Sequence, residues 1–437
     1  MAAAGGPSLG GEAGRSPLLR LSVAGGIATP RTAIGGLLAA ELCSSVGSQL
    51  TRLALPWFVL VETGSAARMA FVFAAQLLPV ALLGLPSGAV VERLGARTVM
   101  VAGDLARAPL VALVPLLHSL ELLTFPLLLV LALALGVFST PYYAAQRLLL
   151  PEVLGEDERA VTRTNSLLEG TSELTNLAGP ALAGVLIALL GAANVLWLDA
   201  ATFLVSAILL LAFVPRSAGL PPSEQSRGAL AGLRFLLGDP LLRRLVFSTV
   251  AFGFAGPMLF AALPYLAFAR YGEDPKIAGW LVASWGAGAV AGSALTFRLV
   301  TRFSPLRVAS FGVIGFVAPL WFLTLDLPAW AVGAVLTVSG LANPLTNAVV
   351  GVLTVRVPVA LRAKAMTSLV TMNRLIGPLG YVTAGLLLTN VGFTAVFLLV
   401  AAADTVAGAI FLSAATRNRA GREAQPARDA AQPQPKP

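Results

Sequence analysis

The chain has 437 residues, of which 57% are hydrophobic and only 12% charged, with a formal charge of +9. A water-soluble surface over a chain of this size needs far more charge, so a soluble globular protein is excluded. One cysteine (Cys43) and one histidine (His118) exclude a disulfide framework and leave no material for a His/Cys metal site, so neither metal nor cofactor is expected.

Residues 1–32 hold a short apolar piece at 18–27 that is broken by Arg20 and glycines, too weak for a signal peptide, and read as a cytoplasmic tail. Twelve apolar runs follow, near 33–61, 69–91, 98–117, 122–146, 165–191, 193–214, 243–268, 277–297, 306–325, 328–355, 366–391 and 393–415. About 20 residues at 1.5 Å rise cross a hydrocarbon core, so these runs predict a polytopic all-α membrane protein. With the N-terminus inside, the outer loops hold only Arg68, Arg270 and Lys276. Arg52, Arg107 and Arg374 lie deep within runs, and the other 24 of the 30 basic residues lie in the tails, the inner loops or at the inner edge of a run. This bias predicts a multi-pass protein of the cell membrane with both termini cytoplasmic, its basic charge facing membrane lipids rather than nucleic acid.

The longest internal break, 215–242, contains Pro221-Pro222 and then an apolar-basic piece from Leu230 that suits the inner membrane surface. It divides the runs into an N-terminal bundle (33–214) and a C-terminal bundle (243–415), with a disordered tail expected over 416–437. The halves echo one another: Gly179-Pro180 with Gly184 in run 5 matches Gly377-Pro378 with Gly385 in run 11. Parallel six-helix repeats are a known transporter architecture.

Between runs 2 and 3, on the inner side, stands Gly88-x-x-x-Glu92-Arg93-x-Gly95-x-Arg97. It resembles the signature of the major facilitator superfamily, with Glu92 in place of aspartate and Ala96 in place of a basic residue. The equivalent loop after run 8, Gly292 to Arg298, lacks the acid. Thr63-Gly-Ser-Ala, Leu150-Pro151-Glu152 and the Gly179-Pro180-x-x-x-Gly184 element are similar to the drug:proton antiporter branch that includes macrolide and siderophore exporters. The resemblance implies twelve helices in two pseudo-symmetric bundles that rock about a midplane cavity. It implies a non-enzymatic, monomeric secondary transporter coupling protons to export of a small hydrophobic or amphipathic molecule. A solute importer or uniporter on the same fold is the alternative, and a non-transporting receptor a more distant one. Gating would rest on Gly88, Glu92, Arg93, Gly95 and Arg97, with Glu92 facing the start of run 11 near Ala365–Ser368 and the arginines binding inner-loop acids or lipid phosphates. Gly179 and Pro180 would join in gating.

Charges inside a membrane cost about 2.5–3.5 kcal/mol at a helix centre, so each needs a reason. In run 1, Glu41, Ser45, Ser48 and Arg52 recur at i, i+4, i+7 and i+11, one stripe of a helix. Glu41 is a candidate proton site and Arg52, with Ser45, a candidate part of the substrate cavity. Structural bonding near the ends of a tilted helix accounts for them equally well. In run 5 Asn165, Glu169, Glu173 and Asn176 share a face, making Glu169 and Glu173 further proton candidates and Asn176 a cavity residue. Asp104 and Arg107 stand at i, i+3, the spacing of an ion pair, with Asp104 a fourth proton candidate. Asn343 and Arg374 are candidate cavity residues; Asp404 has no evident partner. Trp57, Phe138, Phe254, Phe260 and Trp330 are the aromatics expected to suit an apolar substrate.

Overall fold

The computed structural model describes residues 22–23, 26–27, 30–154, 158–215, 229–349 and 356–431. Apart from a two-residue antiparallel pairing (Ser22 with Ile27, Val23 with Gly26), these residues are helical or connect helices. The first half comprises α1 (Pro30–Thr63), α2 (Ala66–Leu94), α3 (Ala96–Ser119), α4 (Phe125–Leu154), α5 (Glu158–Leu190) and α6 (Ala192–Phe213). A short helix α7 (Ala229–Gly238) precedes the second half. That half comprises α8 (Pro240–Arg270), α9 (Pro275–Val300), α10 (Pro305–Leu320, continued as a 3-10 turn Trp321–Thr324), α11 (Ala329–Thr346), α12 (Val359–Asn390) and α13 (Phe393–Ala431). Among the described residues ten helices are long and apolar enough to cross a membrane. α1 and α12 are as long, at 34 and 32 residues, and carry the polar residues of the midline; with them the long helices match the expected twelve.

Local chemistry explains the tight joints. One residue, Gly95, separates α2 from α3, and its φ of 82° is a conformation that side-chain-bearing residues rarely adopt. Gly95 therefore has a backbone role in the Gly88–Arg97 signature. Asp239 caps α8, accepting from the backbone N–H of Leu241 and Leu242, and it pairs with Arg356 at 3.3 Å. Partial burial alone would raise its carboxyl, but those N–H groups and the Arg356 guanidinium hold it below the ordinary aspartate value. The apolar-basic piece of the linker is α7, which packs on α8 and α12. Residues 416–431, within the tail expected to be disordered, continue α13 as helix to Ala431.

The two halves repeat the same helix pairings. α1 packs on α5 and α6 as α8 packs on α12 and α13; α2 packs on α4 as α9 packs on α11. α3 touches α4 and α6 as α10 touches α11 and α13. Between the halves, α2 meets α12 and α5 meets α9, the same pairing with the halves exchanged. This is the two-fold logic of a parallel repeat.

The hydrophobic clusters divide by position along the bundle. At the end away from the termini, one cluster joins Leu55, Trp57 and Ala183 of the first half to Ala267 and Ala278 of the second. Another joins Leu60, Met69 and Phe73 to Leu263, Leu281 and Ala384. At the end carrying the termini, one cluster (Leu37, Val99, Leu149, Leu210) comes from the first half. A separate one (Leu245, Val313, Leu369, Phe411) comes from the second. The bundle is thus sealed across the halves at the loop end, while its terminal-end cores are separate.

Candidate functional site

The seal is built from small residues that permit backbone contact. Gly184 of α5 faces Gly279 of α9 so closely that a Cβ on either would collide with the other helix's backbone, at Pro275 or Pro180 respectively. On the other seam Gly385 of α12 meets Ala67 and Ala70 of α2, and Gly377 meets Leu77. Pro180 and Gly184 of the run 5 element thus lie on one inter-half seam and Gly377 and Gly385 of the run 11 element on the other, whereas Gly179 packs on Gln49 of α1 within its own half. Tyr381 stacks on Phe73 across the second seam, ring centroids 5.0 Å apart and 7° from parallel.

Below this seal lie three adjoining chambers of about 440, 390 and 590 Å³, sizes suited to drug-like molecules. Arg52 and Tyr381 line all three, and the Arg52 guanidinium hydrogen-bonds the Tyr381 hydroxyl across the halves. Glu41, Ser45, Ser48 and Arg52 all line the third chamber, so the stripe expected from their spacing does face the cavity. Asn176 lines two chambers and accepts a hydrogen bond from Gln49. Asn343 and Arg374 line the cavity from the second half. Five sequence-named polar residues thus converge with Glu41 on one central space: Arg52, Ser45, Asn176, Asn343 and Arg374. The side chains of Asn165, Glu169 and Glu173 lie outside the described residues.

Behind Glu41 is a buried polar layer that meets the third chamber through Thr51, Arg107 and Phe203, with Asp104 and Asp199 behind them. Glu41, 2% exposed, accepts from Ser45 Oγ at 2.7 Å and from the Tyr142 hydroxyl at 3.4 Å. The Arg107 guanidinium lies over the Tyr142 ring at 4.2 Å and over Phe203 at 4.3 Å. Arg107 pairs with Asp104, and that carboxylate also accepts from Ser44 of α1 and Ser206 of α6. Asp199 accepts from Thr51 and Thr202. Asp104 therefore stands one layer behind the cavity wall, in a network tying α1, α3 and α6 together. Asp404 is also buried, at 2% exposed, with its Oδ1 unbonded among the described residues.

The gating signature lies at the terminal end. Arg97 donates to the Leu210 and Leu211 carbonyls in the last turn of α6, at 3.2 and 2.9 Å. These carbonyls, which a helix end leaves without internal partners, are partners of Arg97 in addition to the inner-loop acids or lipid phosphates expected for it. Of the aromatics named from sequence, Phe260 lines the cavity. Trp57 is buried against Phe268, while Phe138 and Trp330 are exposed, at 40% and 71%, and line none of the chambers. The cavity residues missed include Gln49, Phe73, Trp285 and Tyr381. Gln49 carried a signal, since it follows Ser45 by one helical turn; Tyr381 has no polar counterpart at the matching place in run 5.

The family profile described as a transmembrane secretion effector matches residues 31–435. The chain is 31% identical to the multidrug efflux pump Tap of Mycolicibacterium fortuitum over 83% of its length and 90% of that protein. It is 28% identical to the Tap pump of Mycobacterium tuberculosis H37Rv, over 84% and 89%. Solved structures share the fold at low identity. A bacterial homologue of the lysosomal transporter Spinster superposes with a TM-score of 0.72 at 13% identity, covering 88% of this chain and 96% of that one. A bacterial ferroportin homologue gives 0.70 at 16% identity, covering 88% and 98%.

Proposed function

Because the chain belongs to the transmembrane secretion effector family of the major facilitator superfamily, we propose that it exports small hydrophobic or amphipathic molecules across a bacterial cytoplasmic membrane in exchange for protons. The observation that carries the reading is the central cavity. It is shared by the two halves, walled by both apolar and polar side chains, and lies beneath a seal made of close small-residue contacts. Export is the direction named for the Tap relatives. With both termini cytoplasmic, the sealed end faces outside, and the cavity is poised to load from the cell interior.

We assign the proton to Glu41. Its carboxyl lines the cavity, yet it is bonded back to Ser45 and Tyr142 and so to the Arg107 layer. Protonation at such a place alters the charge seen by a bound molecule and by the buried network together. Glu173 and Glu169 are second candidates on helix position, and Asp104 a third through its network. The signature around Gly88, Glu92 and Arg93 would latch the inner side when it closes, with Pro180 in the outer seam and Gly179 allowing α5 to approach Gln49 of α1. The protein would act as a monomer, since each chain encloses its own cavity.

The test is ΔpH-driven substrate uptake into inside-out vesicles. Glu41→Gln should lose the ΔpH-driven component by at least about tenfold while substrate-for-substrate exchange survives. Full ΔpH-driven uptake in both Glu41→Gln and Glu173→Gln would end the carboxylate assignment. Cells that accumulate more substrate when the protein is present would reverse the direction.

A further inference from the structure

We infer that the cavity selects molecules carrying an acidic group, with Arg52 as the recognition point: the preferred cargo is a planar, mainly apolar molecule bearing a carboxylate or a comparable oxyanion. The inference rests on the reading of the central cavity as the substrate site. Arg52 stands eleven residues before the end of α1 at Thr63, or roughly 16 Å into the bundle. Its side chain is exposed to the cavity at the junction of all three chambers. Among the described residues no carboxylate pairs with it. Glu41, on the same stripe, is three helical turns away and already bonded to Ser45 and Tyr142.

What Arg52 does have is the Tyr381 hydroxyl, a single neutral acceptor. A guanidinium carries five N–H donors in a planar fork, so most of its donor capacity faces the space where cargo would sit. A cation in a membrane interior needs a counter-charge, and here the ligand is placed to provide it. The surrounding walls fit the rest of such a molecule. Phe260 and Trp285 meet edge to face at 5.2 Å, and the Asn176 and Asn343 amides supply neutral polar contacts. A carboxylate can take two parallel hydrogen bonds from the fork, whereas its ester cannot accept with a full charge.

The experiment compares rhodamine B, which carries a free carboxylate, with its ethyl ester, which has the same ring system without the acid. Equilibrium binding to the purified full-length protein in detergent is read by fluorescence anisotropy. Rhodamine B should bind at least about tenfold more tightly than the ester. Arg52→Gln should remove that difference by weakening rhodamine B at least about fivefold more than the ester, and Arg52→Lys, which keeps the charge but not the fork, should retain part of it. Should Arg52→Gln fail to fold, the Lys variant alone decides: an unchanged preference overturns the assignment of recognition to the fork. Equal binding of acid and ester by the wild type, binding of neither, or an equal loss of both in Arg52→Gln would each overturn the proposal. Export is scored separately in dye-loaded cells. Absence of efflux with the acid preference intact would sink the export reading and leave the anion site standing.

Discussion

Arg107 shows how one residue can be fixed by cost rather than by function. It is 1% exposed, paired with a fully buried Asp104, and sandwiched between Tyr142 and Phe203. Removing one partner of such a pair leaves an uncompensated charge, a loss of about 3–5 kcal/mol, whereas replacing both by apolar groups of similar volume is often neutral. Arg107→Ala should therefore lower the melting temperature and yield of the purified protein sharply. The double variant Asp104→Leu, Arg107→Met should recover most of that loss. If the double variant is stable and still exports with normal ΔpH dependence, Asp104 carries no proton in the cycle; if it is stable and uncoupled, the network itself relays protonation from Glu41. The i, i+3 spacing gave away the pair, but nothing in the sequence revealed that Ser44 and Ser206 close it from two other helices. A hydroxyl's partner depends on helix packing, which local spacing does not encode.

At the scale of elements, α5 and α9 define a contact between the halves that only glycine allows. A Cβ at Gly279 would run into the Pro180 carbonyl and Gly184, both backbone positions that cannot move aside without shifting a helix. Gly279→Val should leave the protein folded, because each half keeps its own terminal-end core, yet hold the seam between α5 and α9 apart. The expected result is a monodisperse protein that retains ligand binding but loses concentrative export by at least about tenfold. Unimpaired export would mean that the seam does not close during transport. The Gly179–Gly184 element was visible in the sequence as a small-residue stretch, and its echo at Gly377–Gly385 suggested a repeat. Which helix each would touch was not visible, since Gly279 belongs to the opposite half and lies outside any recognisable motif. The cavity-facing stripe of α1 was legible because it is periodic. The seam was not, because it depends on the docking of two halves that share no local signal.

For the whole molecule, the difference between the two ends gives a direct statement about access. Cross-half clusters occupy the loop end, whereas at the terminal end each half has its own cluster, so the resting cavity should open toward the side bearing the termini. In the orientation proposed from the basic residues of the tails and inner loops, that side faces the cytoplasm. Arg52–Tyr381 and Phe73–Tyr381 both tie α12 to the first half just beneath the seal, so a ligand that takes the Arg52 fork also competes for one of the ties holding the outer end shut. Binding and outward opening would then be coupled through one side chain, because cargo that engages Arg52 favours the state in which the tie is broken. Ser139 lines the third chamber, and its replacement by cysteine changes one atom. With Cys43→Ser as background, Ser139→Cys should react with a membrane-impermeant maleimide in inside-out vesicles and stay protected in right-side-out ones. Adding saturating rhodamine B should raise the outside reaction rate severalfold in this protein and leave it unchanged when Arg52→Gln is also present. Outside labelling without ligand would place the open end on the wrong side, and a ligand effect that survives Arg52→Gln would disconnect the arginine from opening.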